Sequence, residues 1–296
     1  MSGILVTGGT GTVGRFIVEG LLTAGHDVMV AGRHAPALGL FTRDVGFRVA
    51  ALSPDGPPAG LFDGAEALVH AAFDHVPGRY RGGEGDDPEG FRARNLIGTQ
   101  RLFEAARDAG LSRAVFLSSR AVYGRQPPGA RLFETTVPDP DTLYGEVKLR
   151  GEAALSALCG PGFTGASLRV TGVYGLPGPG AAHKWSGLFA DYLAGREIAP
   201  RAGTEVHGED VAAAVGRLLE APASALAGQV YNVSDLVIDR RDILAPLKAA
   251  RQCPHPLPPA ADATALNVMD TSRLEALGWR PGGRAAFEAV ISELTA

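Results

Sequence analysis

Residues 3–7, a short β-branched run, lead directly into Thr7-Gly8-Gly9-Thr10-Gly11-Thr12-Val13-Gly14, and helical periodicity follows over 15–24. Gly8 allows a tight turn, Gly11 admits a diphosphate close to the backbone, and Gly14 permits close packing of helix on strand. The first N–H groups of that helix then point towards an anion. Gly8, Thr10, Gly11, Thr12, Val13 and Gly14 are therefore read as the phosphate-binding part of a dinucleotide site. A glycine-rich turn alone carries little weight, and its strand–turn–helix setting supplies the rest.

Apolar runs at 27–31, 46–52, 65–71, 112–118 and 165–170 alternate with helical segments at 94–109 and 142–158. That alternation is the signature of βαβ units, so the expected fold is α/β with a doubly wound parallel sheet. At 296 residues the chain has room for a second, smaller part. Residues 1–175 and about 206–234, with a helix at 209–219 and a strand at 229–233, are assigned to the dinucleotide-binding domain. About 176–205 and 235–296 are assigned to a small C-terminal cap for the substrate. The polar, glycine-rich stretch 74–90 is long for a connection and is a candidate lid, with ordinary disorder as the alternative.

With 28 Lys+Arg against 32 Asp+Glu and no basic block, neither nucleic acid nor an anionic membrane surface is expected as a partner. No apolar run approaches the roughly 20 residues of a membrane span, and the opening strand leaves no place for a signal peptide. A cytoplasmic location is the expectation. The two cysteines, Cys159 and Cys253, are too few for a disulfide framework, and the seven histidines lack ligand spacing, so no metal is expected.

The end of the second strand bears on the choice of cofactor. A carboxylate is usual there for NAD(H), to bind the adenosine ribose. Here Gly32-Arg33-His34 stands instead. Without the acid nothing repels a 2′-phosphate, and Arg33 can pair with one, so NADP(H) is expected over NAD(H), with a merely solvated Arg33 as the alternative. Tyr144 and Lys148 are four apart in a helical stretch and share a face. A nearby ammonium lowers a phenol from its ordinary pKa of about 10, making Tyr144 a candidate general acid/base. Ser118 and Ser119 close the fifth strand, at the edge where open α/β sheets bind ligands.

With those residues in place the chain resembles the extended short-chain dehydrogenase/reductases, the NAD-dependent epimerase/dehydratase family. The resemblance rests on the turn at 7–14, Val69-His70-Ala71-Ala72, Asn95 with Gly98-Thr99, and 118–124. It continues through Tyr144 with Lys148, Leu168-Arg169 to Val173-Tyr174-Gly175, and Leu277-Gly278-Trp279-Arg280-Pro281. It implies a Rossmann fold, catalysis by Ser119, Tyr144 and Lys148, and cofactor contacts that include His70, Ala71, Ala72, Tyr144 and Lys148. It also implies a homodimer paired through the helices at 94–109 and 142–158.

The chain departs from parts of the family pattern. Arg120 and Ala121 stand where family dehydratases carry an Asp-Glu pair, which argues against dehydration. Gly172, Gly203 and about Ala260 stand where sugar-nucleotide enzymes hold a diphosphate through an Asn and two Arg. The expected activity is therefore hydride transfer at a secondary alcohol or carbonyl of a small polar, sugar-like molecule. Ser119, Arg120, His183 and Lys184 are its candidate contacts. A sugar-nucleotide 4-epimerase with bound NAD is the alternative, and a non-catalytic dinucleotide sensor a more distant one.

Overall fold

The computed structural model describes residues 3–76, 79 and 82–296. The candidate lid falls partly outside them, since 77, 78, 80 and 81 are not among the described residues. The chain begins β1 (Gly3–Thr7), α1 (Thr12–Thr23), β2 (Asp27–Gly32), β3 (Gly46–Val49) and β4 (Ala67–His70). It continues α2 (Pro88–Arg92), a π-helical turn at Ala93–Ile97, α3 (Gly98–Asp108) and β5 (Arg113–Ser119). A 3₁₀ turn at Arg120–Val122 leads to α4 (Leu143–Leu158), β6 (Thr164–Val170), β7 (Gly172–Tyr174), α5 (Ser186–Leu193) and β8 (Ala202–His207). The remainder is α6 (Gly208–Glu220), α7 (Ala223–Leu226), β9 (Gln229–Val233), β10 (Leu236–Asp239), α8 (Arg240–Ala250), α9 (Ser272–Glu275) and α10 (Gly283–Thr295).

Seven strands form one sheet in the order β3-β2-β1-β4-β5-β6-β9, every pair parallel. The order reverses between β1 and β4, and that reversal opens a crevice beyond their carboxyl ends. β1 shows why the sheet is buried on both faces. Ile4 and Val6 join one apolar cluster with Ile17 of α1 and Val211 of α6, while Leu5 joins a second with Phe103 of α3 and Phe116 of β5. A three-stranded sheet, β10-β8-β7, lies beyond, with a core of its own that includes Trp185, Phe189, Leu244 and Phe287.

Three departures from the sequence expectations have local causes. The helix expected at 94–109 begins earlier, because Asp87 accepts the Gly90 N–H at 2.8 Å and caps α2, with Pro88 at its first position. The third strand stops at Val49 because its partner β2 ends at Gly32, the last paired position. β10 was not expected at all, since only four residues pair and their partner β8 is thirty residues back in the sequence.

The links between the sheets are short. β6 passes to β7 through Thr171, whose N–H donates to Val233 O at 3.1 Å and whose hydroxyl donates to Thr204 O at 2.8 Å. β9 passes to β10 through Ser234 and Asp235, and the Asp235 N–H donates to Glu205 O at 3.0 Å. The C-terminal segment is tied down by two carboxylates: Gly282 N–H donates to Asp210 at 3.0 Å and Gly283 N–H to Asp235 at 2.9 Å. Asp210 thus lies in the first turn of α6 and also holds the start of α10.

Between α4 and the sheet lies a buried ion pair. Arg169 of β6 meets Glu152 of α4 at 2.7 Å, with side chains 5% and 6% exposed, and Ser118 of β5 donates its hydroxyl to the same carboxylate. Removing one partner leaves the other charge buried and unpaired, at a cost of about 3–5 kcal/mol. The Glu152→Ala variant is accordingly expected to lose stability of that order in urea unfolding. A loss below about 1 kcal/mol, the range of an exposed pair, contradicts this account.

Candidate active site

The glycine turn is forced into its shape by close packing. Gly8 sits at φ +71, and a Cβ there would lie 2.6 Å from the backbone N of Ala72. A Cβ on Gly14 would lie 2.1 Å from Gly8 O, so α1 can start against the turn only without one. Gly11 precedes α1 and no side chain caps the helix, while Thr10, Gly11 and Thr12 are exposed and Val13 is half-buried. Uncapped first-turn N–H groups beside an exposed turn at the sheet's reversal point suit a diphosphate. Ala71 and Ala72 border this turn half-buried, and the Ala71 N–H donates to Thr7 O at 3.1 Å.

His70 is placed differently from the cofactor contact expected of it. Its side chain is fully buried, with Nδ1 hydrogen-bonded to Thr7 Oγ1 at 2.7 Å and Nε2 to Thr99 Oγ1 at 3.0 Å. Burial, and then the charge of Lys148, holds its pKa down to about 3. The ring is a neutral strut joining β1, β4 and α3, with no nitrogen left for a ligand.

Arg33 follows β2 with its side chain 69% exposed, and donates to Asp74 at 3.2 Å. Asp74 also accepts from Arg94 at 2.6 Å, and Arg94 reaches Asp87 at 3.2 Å. Asp74 was not singled out from sequence. Three positions this far apart along the chain offer no spacing to read.

The catalytic candidates gather at the carboxyl ends of β4 and β5. Ser119 ends β5 half-buried, and its Oγ accepts the Ala121 N–H at 3.1 Å. Thr142 caps α4 by accepting the Gly145 N–H at 3.1 Å, and a Cβ on Gly145 would lie 2.5 Å from Ala121 O. That glycine lets the first turn of α4 lie against the turn after Ser119. Tyr144 is half-buried, its ring edge-on to Phe73 at 5.0 Å. Lys148, one helical turn on, is buried, and its Nζ donates to Leu117 O at 2.6 Å, two residues before Ser119. The same ammonium lies 4.7 Å from the ring centres of Phe73 and Phe116 and 6.0 Å from that of Tyr144.

Burial lowers the Lys148 pKa to about 7, with Glu152 pulling it back up. Phe73 and Glu152 both belong to this arrangement and were missed in sequence. Glu152 was within reach, being four residues past Lys148 on the same face.

Of the candidate substrate contacts, Arg120 is half-buried and donates to Asn267 O at 3.0 Å. Lys184 pairs with Glu205 of β8. His183 sits with its ring 4.8 Å from that of Phe189, and burial lowers its pKa. Tyr123 and Tyr174 are both packed inside. The Tyr123 hydroxyl donates to Asn232 at 2.6 Å, and Tyr174 stacks on Trp185.

A model of the NAD dependent epimerase/dehydratase family matches residues 4–234. The chain belongs to this family. It is 33% identical over 192 residues to a dTDP-6-deoxy-L-talose 4-dehydrogenase (NAD(P)(+)) of Kitasatospora kifunensis, covering 64% of this chain and 58% of that protein. It is 34% identical over 187 residues to a UDP-glucose 4-epimerase of Streptomyces lividans, covering 53% and 50% respectively. The matches thus span about half the length of these curated relatives. A crystal structure of Thermus thermophilus UDP-glucose 4-epimerase with NAD is similar over 98% of each chain, at a TM-score of 0.76 and 28% identity. The Rossmann-type sheet expected from sequence is the family's own.

The buried lysine of this family member gives a pH test. Its folded pKa of about 7 lies below the ordinary 10.5, so between those values the unfolded chain binds the extra proton and stability rises with pH. Below pH 7 the penalty is present in full. Urea unfolding across this window is expected to show a steeper rise for the wild type than for Lys148→Met. Parallel profiles would assign the titration to another group.

Proposed function

We propose that this protein is an NAD(P)-dependent oxidoreductase transferring hydride at a secondary alcohol or carbonyl of a small polar, sugar-like substrate. The observation that carries this reading is the buried Lys148 ammonium beside Tyr144, bound to the strand that ends in Ser119, in the crevice headed by the glycine turn. Gly8, Thr10 to Gly14, Ala71 and Ala72 would hold the dinucleotide, whose nicotinamide carbon supplies or accepts the hydride when bound. Tyr144 exchanges the proton with the substrate oxygen, and Ser119 holds that oxygen by hydrogen bond. The ammonium of Lys148 stabilises the phenolate and the loaded cofactor's ribose. The large sheet with α6 and β9 serves the dinucleotide, and about 176–205 with 235–296 the substrate.

NADP(H) is the cofactor we favour. Arg33 is largely exposed and carries the only charge offered by the turn after β2 at Gly32-Arg33-His34, apart from a histidine. The Kitasatospora relative is named for NAD(P)(+), and the Thermus structure holds NAD. Pairing of two copies through α3 and α4 and a cytoplasmic location belong to the same proposal. No helix among the described residues is long and apolar enough to cross a membrane. The second reading, a sugar-nucleotide 4-epimerase, draws support from the Streptomyces relative and implies retained NAD with no net cofactor turnover.

Tyr144→Phe removes the phenol hydroxyl and its exchangeable proton and keeps the ring. It is expected to keep cofactor affinity while losing about 10²–10⁴-fold in turnover with the best substrate of a sugar and alcohol panel, read by absorbance of the reduced cofactor. Undiminished turnover would exclude Tyr144 as the acid/base. Fluorescence titration is expected to show tighter binding of NADPH than NADH, and Arg33→Ala to remove about tenfold or more of that preference. Tighter NADH binding by the wild type would reverse the assignment.

A further inference from the structure

β7 starts at Gly172, a short step from the proposed catalytic serine. Ser119 and Val170 are paired in register, and Gly172 follows Val170 by two residues. With neighbouring strands about 4.8 Å apart and two residues reaching at most about 7 Å, Gly172 lies within about 12 Å of Ser119. No side chain projects from it, and the volume is taken. A Cβ on Gly172 would lie 2.7 Å from Glu205 Oε2 and 2.8 Å from Lys184 Nζ. Those two groups form an ion pair, with side chains 15% and 33% exposed.

The backbone of Glu205 is held on both sides. It lies on the middle strand of the small sheet, opposite Gly172 on one side and Leu236 on the other. The neighbouring strand is also locked, since the Thr171 hydroxyl donates to Thr204 O at 2.8 Å. The carboxylate therefore stands on held backbone and is tied to Lys184. Lys184 uses Oε2 and leaves Oε1 as an acceptor.

We propose that Glu205, paired with Lys184 over Gly172, is a specificity-determining residue that favours an uncharged polyhydroxylated substrate and turns away a nucleoside diphosphate. The proposal rests on the oxidoreductase reading of this crevice and names its substrate class. The pair is neutral as a unit. A diphosphate arriving there must either draw Lys184 away, leaving a partly buried carboxylate without its cation, or lie beside a like charge. A sugar hydroxyl breaks nothing: it donates to Glu205 and accepts from Lys184 with the ion pair intact.

The test uses the full chain with its dinucleotide cofactor at saturation, so that the cofactor site is filled, and UDP as the probe. Calorimetric titration reads UDP binding without turnover, and steady-state assays with neutral aldoses read the substrate side. The wild type is expected to bind UDP no tighter than millimolar. Glu205→Gln frees the ammonium and is expected to tighten UDP by about tenfold or more, the equivalent of about 1.4 kcal/mol. Lys184→Gln is expected to give no such gain, and both variants to raise KM for the aldose more than they lower kcat. Thermal melting checks that each variant is folded.

Micromolar UDP binding by the wild type, or a Glu205→Gln variant that is folded and unchanged towards UDP, overturns the proposal. If no aldose is turned over while Glu205→Gln still gains UDP affinity, the specificity role stands and the oxidoreductase reading falls. If aldoses are turned over and Glu205→Gln gains nothing, the reverse holds.

Discussion

One carboxylate, that of Glu152, organises the working half of the molecule. It receives the Arg169 guanidinium from β6 and the Ser118 hydroxyl from β5, and so fixes α4 against two strands at once. Tyr144 and Lys148 lie on the preceding two turns of the same helix. Their position over the end of β5 is thus set by a charged contact that tolerates little sliding, because a slipped helix would leave two buried charges unpaired. Arg169 extends the arrangement, with its guanidinium 4.8 Å from the Tyr123 ring, whose hydroxyl reaches Asn232 of β9. The helix, three strands and the turn after Ser119 behave as one block.

The remaining half of the crevice is shaped by exclusion. Gly8, Gly14 and Gly145 each stand where a Cβ would meet backbone, and no rearrangement of side chains could relieve that. Backbone of β1, β4 and the two helix starts can then converge on a small volume. His70 stabilises the convergence from beneath as a neutral hydrogen-bonded strut. Ser119 and Tyr144 lie half-buried at the rim, with Lys148 and the satisfied His70 buried below it.

What was legible in the amino-acid sequence is what depends on neighbours along the chain. The turn at 7–14 and the pair Tyr144 and Lys148 are local patterns, and the parallel sheet follows from apolar runs separated by helical periods. The family pattern extended that reading to Ser119. Long-range meetings were out of reach. Asp74 between Arg33 and Arg94, Phe73 between Tyr144 and Lys148, and Glu205 over Gly172 arise only when separate loops and strands are brought together. The partners of His70 were out of reach in the same way, since Thr99 of a distant helix takes its second nitrogen.

The passages between the two sheets, Thr171 on one side and Ser234 with Asp235 on the other, leave no slack, and Asp210 and Asp235 pin the start of α10 across them. Opening the two sheets like a jaw would break these ties. The shape of the crevice between the sheets is thereby tied to the start of a helix that lies far along the chain.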